Sequence, residues 1–574
     1  MRGRKRRHAA VAEPDPPACW SRPPRAPRLP AARSAPRAAR SICGRDKPHV
    51  LTLLSSRHGL EPGPATYHVT CPAGRGCVTP SFVAHSFKNG NDNVRRVVAM
   101  AAADELSLIR FLYVDHGGVI RGKASSLSVL AKRIDTGIGD TAALMASSMF
   151  DTIEPVDGAG TAGEVRIIPD PNTFVTLPYA PGAGAMVADL AKPDGEQWDA
   201  CSRTFLKEAI AELAREGYTL SAAFEPEFTL GHREADPAGG HDRLVPIDDS
   251  LNCSVTGFHH AHDYVIELVR ALEAQGMQVQ HYHPEQGHGQ QEVSIWHAPA
   301  LRAADNHVLY RETARGVAFR RGLWASFAPK PIPGQAGNGA HLHASLWSIE
   351  DDGFVPGEAR NEVSAVKAST RPAQEAEQRG RNVFYNRDDR YGLAEIGYHF
   401  IGGLLAHLPA LTALTCGSVN SYRRLAPRSW SSAYTIYGMD NREAAVRICS
   451  PLGHGSEGSL NLELRPSDSS ANPYLALGAF IHAGLNGIRN ELDPGKAVNV
   501  DPAALTDSQR QRSRAYRLPS SLAAALDALE ADDILMDALG SLRSRAYLAV
   551  KRAEVELFAA KPAEFEYFHH FIKF

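Results

Sequence analysis

The chain has 574 residues (62.1 kDa), of which 43% are hydrophobic and 22% charged. That is too long for a peptide and too apolar for disorder throughout, so at least one large core and two or more domains are expected. No apolar run reaches the roughly 18 to 20 residues that cross a bilayer, which excludes a helical membrane span and predicts a soluble protein.

The formal charge of −2 hides a split. Residues 1–50 carry 13 Lys or Arg against 3 Asp or Glu, leaving 49 against 61 in the rest of the chain. Eight scattered cysteines, with no C-x-x-C and no signal segment, point to a reducing compartment, and the cytoplasm is the expected location.

Residues 1–99 open MRGRKRRHAA and run through SRPPRAPRLPAARSAPRAAR without helical or strand period. They are read as a disordered basic leader, a solvated tail rather than a nucleic-acid arm because no aromatic interleaving follows. An upstream extension, with Met100 as the true start, accounts for them equally well. FLYVDHGGVIRGKASSL (111–127) predicts a β-hairpin turning at His116-Gly117-Gly118, and opens a small β-rich domain over 100–197. CSRTFLKEAIAELAREG predicts a helix with Phe205, Leu206, Ala209, Ile210 and Leu213 on one face, ending at Gly217. It begins a second domain over 198–574. There LSAAFEPEFTL is a predicted strand, HDYVIELVRALEAQG a helix with Val265, Leu268, Val269 and Leu272 inward, and MQVQHYHPE another strand. Residues 349–381 read as a long surface loop, and the fold class as α+β or mixed α/β.

The chemistry-bearing residues fall in short segments. Glu225 and Glu227 lie two apart in a strand and so share a face, opposite Phe224 and Phe228; paired carboxylates call for a counterion such as Mg²⁺ or Mn²⁺. Glu285 and Glu292 flank the turn QGHGQQ, which can fold two extended segments together. GQAGNGAHLHASLW sets a glycine-rich loop before His341 and His343, again at strand spacing. His281-x-His283 and the cluster His259, His260 and His262 invite a zinc reading, which the surrounding carboxylates disfavour. Arg423, Arg424, Arg442, Arg447 and Arg465 add forked donors suited to carboxylates and phosphates. With no Walker-type loop, the set reads as phosphoryl transfer onto an acidic substrate.

In order, the segments EPEF, E-x(6)-E with its GQ, HLHASLW, NSYRRLAP, NREAAVR and ELR followed by ANPYL resemble the glutamine synthetase family from about residue 105 to the C-terminus. The resemblance implies an α+β fold, with an N-terminal β-grasp domain, a larger catalytic α/β domain, and sites between subunits of a ring-built homo-oligomer, commonly a dodecamer. It implies an ATP-dependent ligase that phosphorylates the γ-carboxylate of glutamate and lets an amine displace phosphate. One Mg²⁺ or Mn²⁺ would sit on Glu227, Glu285 and Glu292, and another on Glu225, His341 and Glu463. Arg424 and Arg465 would hold glutamate, with Gly337 in its loop; Arg442 and Arg447 would hold phosphates, with Arg442 and Arg465 acting in catalysis; His343 and Ser345 would contact nucleotide.

Three positions depart from the ammonia-using pattern. Arg428-Ser429-Trp430 stands where Gly-Tyr-Glu closes over ammonium, Met145 aligns with an ammonium-binding aspartate, and Asn461 replaces a nucleotide-contacting arginine. Trp430 and Met145 are therefore assigned to an amine site for an organic amine, Trp430 by cation–π attraction or stacking. The alternatives are glutamine synthetase proper and a catalytically silent relative with a regulatory role. Arg514-Ala515-Tyr516-Arg517-Leu518-Pro519 keeps only part of the family's adenylylation segment, so Tyr516 is read as an ordinary surface tyrosine.

Overall fold

The computed structural model describes residues 92–236, 242–349, 380–451 and 456–574; the leader through residue 91 and residues 350–379 of the expected surface loop lie outside the described residues. The first described element is the helix Asp92–Ala103, whose Val97 and Ala101 are fully buried. The composition boundary at 99/100 therefore falls inside a helix, because the apolar residues that dock it begin ahead of Met100.

The expected hairpin is present as β1 (Leu108–Val114) and β2 (Ile120–Ser126), paired antiparallel. With β3 (Ile138–Thr141), β4 (Glu164–Pro169), β5 (Val175–Thr176) and β6 (Ala183–Ala191) they form a six-stranded sheet in the order β2-β1-β6-β4-β3, β5 pairing with β6. β1 and β6 run parallel. The helix Leu130–Thr136 buries Leu130 and Ile134 in one core with Ile109, Phe111, Val165, Ile167 and Leu190. This is the β-grasp arrangement.

The larger domain holds β7 (Tyr218–Glu234), β8 (Arg243–Pro246), β9 (Val279–Pro284), β10 (Gln290–Ile295), β11 (Ala298–Pro299), β12 (Trp324–Ser326), β13 (Ala340–Ser348), β14 (Tyr437–Met439), β15 (Val446–Cys449) and β16 (Asn461–Leu464). They order as β14-β15-β16-β13-β7-β10-β9, with β8, β11 and β12 also on β7. The helices Ser202–Arg215, Val255–Ala274, Ala300–Arg320, Glu395–Thr415 and Pro473–Arg489 supply the rest of one large core. Phe205, Leu206, Ala209 and Leu213 are buried as their spacing predicts, and the helix stops ahead of Gly217 at φ +84°. Val265, Leu268 and Leu272 are buried and Val269 packs beside them. The fold is α+β.

The hairpin turn joins the two domains. Gly118 has φ +85°, and a Cβ there would overlap the Ser470 carbonyl oxygen, so both conformation and proximity demand glycine. Asn472 donates from Nδ2 to the carbonyls of Val114 and Asp115 at 3.1 Å, and Lys551 donates to that of Gly117 at 3.0 Å. Turn carbonyls that would otherwise be buried unpaired are satisfied by the larger domain. Among the described residues, no helix is long and apolar enough to cross a membrane.

Candidate active site

Strand register, not sequence proximity, assembles the site. Glu225 lies opposite His341 in the β7–β13 pairing and Glu227 opposite Glu292 in β7–β10. His343 faces Glu463 across β13–β16, and Glu463 faces Arg447 across β15–β16. With a side-chain period of two, these pairings bring residues more than 200 positions apart onto one face.

Two compact groups result. In the first, ligand atoms of Glu225, His341 and Glu463 all lie within 4.8 Å of one another. His341 Nδ1 is 3.4 Å from Glu463 and 3.7 Å from Glu225, and His343 Nε2 is 3.2 Å from Glu225. Burial raises the Glu225 carboxyl, but His343 and His341 outweigh it and hold it well below the usual range. Glu463 behaves likewise: burial opposes ionisation, and Arg465 brings it down to about 2. Burial and then Arg465 lower His341 to about 4, which leaves its imidazole neutral and able to ligate.

The second group lies on β7, β9 and β10. Glu227 accepts from Gln290 Nε2 at 2.6 Å and from the Gly339 amide at 3.0 Å. Burial, then the like charges of Glu285 and Glu292, push Glu227 up to about 8. Glu285 is bonded to His283 at 2.8 Å, while Glu292 accepts from Ser294 Oγ at 2.9 Å and lies 3.7 Å from His281. The atoms that gather within 4.8 Å here are those of His281, His283 and Glu292. Glu227 and Glu285 stand next to this trio rather than in it, so the site holds two histidines that the disfavoured zinc reading had set aside. Their signal was the alternation His281-x-His283-x-Glu285, which places all three on one face.

Arg424, on the short helix Ser421–Arg424, is buried and reaches His341 Nε2 at 3.1 Å and the Arg465 carbonyl at 3.4 Å. Arg447 donates to Glu463 at 2.8 Å, and Arg465 contacts the same carboxylate. Gly337 and Gly339 lie where Arg424 crosses the glycine loop: a Cβ on Gly339 would sit 2.6 Å from Arg424, 2.9 Å from His341 and 3.0 Å from Glu227. His343 Nδ1 bonds to Asn461 at 2.9 Å, and Ser345 accepts from Trp347 Nε1 at 2.9 Å. Arg442 is exposed, whereas Arg423 turns away to Glu566 at 3.0 Å.

The two residues assigned to an amine site differ in exposure. Trp430 is 60% exposed, and its carbonyl accepts from Arg465 at 2.7 Å. Met145 is fully buried in the core of the small domain with Leu144, Ala146 and Ile167, so within this chain its thioether packs and presents no surface to a ligand. This corrects its assignment.

The sequence matches the glutamine synthetase N-terminal domain over residues 92–198 and the glutamine synthetase catalytic domain over 199–370 and 376–570. The chain belongs to the glutamine synthetase family. It is a ligase of the acid–ammonia or acid–amine class, and the family supplies glutamate, ATP and divalent metal to the reaction. The γ-glutamylpolyamine synthetase GlnA3 of Streptomyces coelicolor is 33% identical over 77% of this chain and 88% of its own length. The glutamine synthetase of Halobacterium salinarum is 32% identical over 84% and 97%. A solved structure described as a novel glutamine synthase homolog superposes with TM-score 0.68 at 31% identity, over 82% of this chain and 99% of its own. An ADP complex of GmaS gives 0.67 at 28%, over 82% and 98%.

The glutamine synthetase donor set fits divalent cations. It offers five carboxylates with imidazoles at contact distance, and burial followed by its like-charged neighbours raises the Glu227 carboxyl, a charge imbalance that a cation would relieve.

Proposed function

We propose that this chain joins the γ-carboxylate of glutamate to an organic amine at the expense of ATP. The observation that carries this reading is Trp430. Trp430 is exposed, its backbone carbonyl accepts from Arg465, and by the family resemblance it stands at the loop position where ammonia-using members close a carboxylate over ammonium. An indole face attracts an alkylammonium by about 0.5–2 kcal/mol and can stack on an aromatic amine, whereas small, strongly hydrated ammonium gains most from anions. The name of the Streptomyces relative, a γ-glutamylpolyamine synthetase, supports the same reading.

Glutamate would lie against Arg424 and Arg465, with the glycine loop at 337–339 closing on it. Its γ-carboxylate attacks the terminal phosphorus of ATP, releasing ADP and giving the acyl phosphate. The amine nitrogen then adds to the acyl carbon, the C–O bond to phosphate breaks, and phosphate leaves with the electron pair. Arg442 and Arg447 would neutralise phosphate oxygens, and His343 and Ser345 would face the nucleotide. Two Mg²⁺ or Mn²⁺ ions, one on Glu225, His341 and Glu463 and one on Glu227, Glu285 and Glu292 with His281 and His283 adjacent, would screen the charge that otherwise repels attack. We also assign the chain to a ring-built homo-oligomer, which its mass in solution tests.

The deciding assay is glutamate-dependent phosphate release with ammonia, putrescine, spermidine, ethanolamine, methylamine and aniline. Selective turnover with an organic amine is expected. Turnover with ammonia alone would overturn the reading and make the protein a glutamine synthetase with a rebuilt ammonium site. Negligible turnover with every amine, in folded and metal-loaded protein, would mark it as a silent relative.

A further inference from the structure

The attacking nitrogen arrives protonated, and at the loop position where the resemblance implies a carboxylate for it this chain has Trp430. Glu443 lies against the backbone of Trp430. One of its oxygens, Oε1, accepts from the Trp430 amide at 2.9 Å; the other, Oε2, is buried and has no hydrogen-bond partner among the described residues. An unpartnered carboxylate oxygen out of solvent is unfavourable unless something positive comes to it.

The surroundings supply little of that charge. Arg465 is near enough to act on Glu443, but its own donors go to Glu463 and to the Trp430 carbonyl. Asp501 also faces Glu443 and repels it, while the Arg428 side chain is turned to Asp501 at 3.3 Å. The Arg428 and Trp430 amides are the polar hydrogens directed at the Glu443 carboxylate. Burial is the main cause of its raised pKa, which makes it a better proton acceptor than a solvated glutamate. The loop above is held in a costly conformation, with Arg428, Trp430 and Ser432 all left-handed, at φ +58°, +56° and +62°. A segment so constrained can lift and expose the carboxylate it covers.

We propose that Glu443 is the carboxylate that binds the incoming ammonium group and takes its proton. The organic substituent lies against Trp430, and the ammonium head reaches Glu443 Oε2 as the 428–432 loop lifts. Glu443 accepts one N–H proton and becomes a neutral acid. The freed lone pair forms the C–N bond with the acyl phosphate carbon, phosphate departs with the C–O electrons, and the second N–H proton is lost to solvent as the amide forms. The chain thus carries its anionic amine partner on the NREAAVR segment, one residue from the phosphate-binding Arg442, in place of the loop. This rests on the proposed amine ligation.

The test is Glu443→Gln, which keeps an acceptor for the Trp430 amide but removes the charge and the base. With the preferred amine at neutral pH, kcat/KM should fall about 100-fold or more, and raising the pH, which supplies free amine, should recover much of it. Hydroxylamine, uncharged at neutral pH, needs neither an anion nor a base, and its turnover should fall less than about threefold if the acyl phosphate still forms. Equal loss with hydroxylamine and amine, without recovery at high pH, would reduce Glu443 to a loop support and overturn the proposal. So would an unchanged amine rate. If wild-type protein uses only ammonia, the organic-amine reading fails on its own, and the same variant assayed with ammonia still decides the role of Glu443.

Discussion

Arg465 spans the two halves of the reaction: one guanidinium nitrogen contacts Glu463, and another donates to the Trp430 carbonyl at 2.7 Å. The residue expected to hold glutamate therefore also fixes the backbone of the amine loop. Trp430→Ala should raise the amine KM about 2- to 30-fold, the range that a lost cation–π contact of about 0.5–2 kcal/mol implies, with the ATP KM unchanged. Trp430→Glu should shift preference towards ammonia. Initial rates with the amine panel check both, and an unaltered preference in Trp430→Glu would mean that the indole only packs the loop.

Gly339 leaves no room for a side chain between Arg424, His341 and Glu227. Gly339→Ala should retain the fold, because the clash is with side-chain ends, yet lower kcat/KM about 100-fold by displacing the catalytic groups. Steady-state kinetics alongside a melting curve separate this from unfolding.

Glu227 and Glu463 predict opposite pH effects in metal-free protein. Glu227 rises from an ordinary value of 4.5 to about 8, so between these values the native state holds a proton that the unfolded chain has released. Its contribution to stability is present below about 4.5 and is lost as pH rises towards 8. Glu463 falls from 4.5 to about 2; its contribution is present above 4.5 and is lost as pH falls through that window. Mg²⁺ or Mn²⁺ should displace the Glu227 proton, so calorimetry in buffers of different ionisation enthalpy should show proton release at pH 7 that fades above about 8.

Asn461 holds His343 at 2.9 Å where an arginine would add charge for nucleotide phosphate. Asn461→Arg is expected to lower the ATP KM about 3- to 10-fold. Unchanged ATP affinity in a titration would count against a weakened nucleotide site.

Val97 is fully buried three residues ahead of Met100. Protein begun at Met100 loses that contact, at a cost of about 1.5–3 kcal/mol, and should unfold earlier in denaturant than protein begun at Asp92.

The sequence by itself determined the elements and the reaction class. Period-two and period-3.6 patterns located β1, β2, β7 and β9 and the helices from Ser202 and Val255, since local burial sets those periods. The ordered motifs from EPEF to ANPYL pointed to the metal carboxylates, because such chemistry tolerates few residue types. Register and depth were decided only in three dimensions. His281 and His283 come beside Glu292 because β9 pairs with β10 across the QGHGQQ turn, in a register that the alternation of His281, His283 and Glu285 does not by itself fix. Met145 went to the core because helix and sheet close over it, although its motif pointed to a ligand. Glu443 drew no role from its motif, and the role proposed for it emerges only where the fold sets its Oε1 against the Trp430 amide and leaves Oε2 buried without a partner among the described residues.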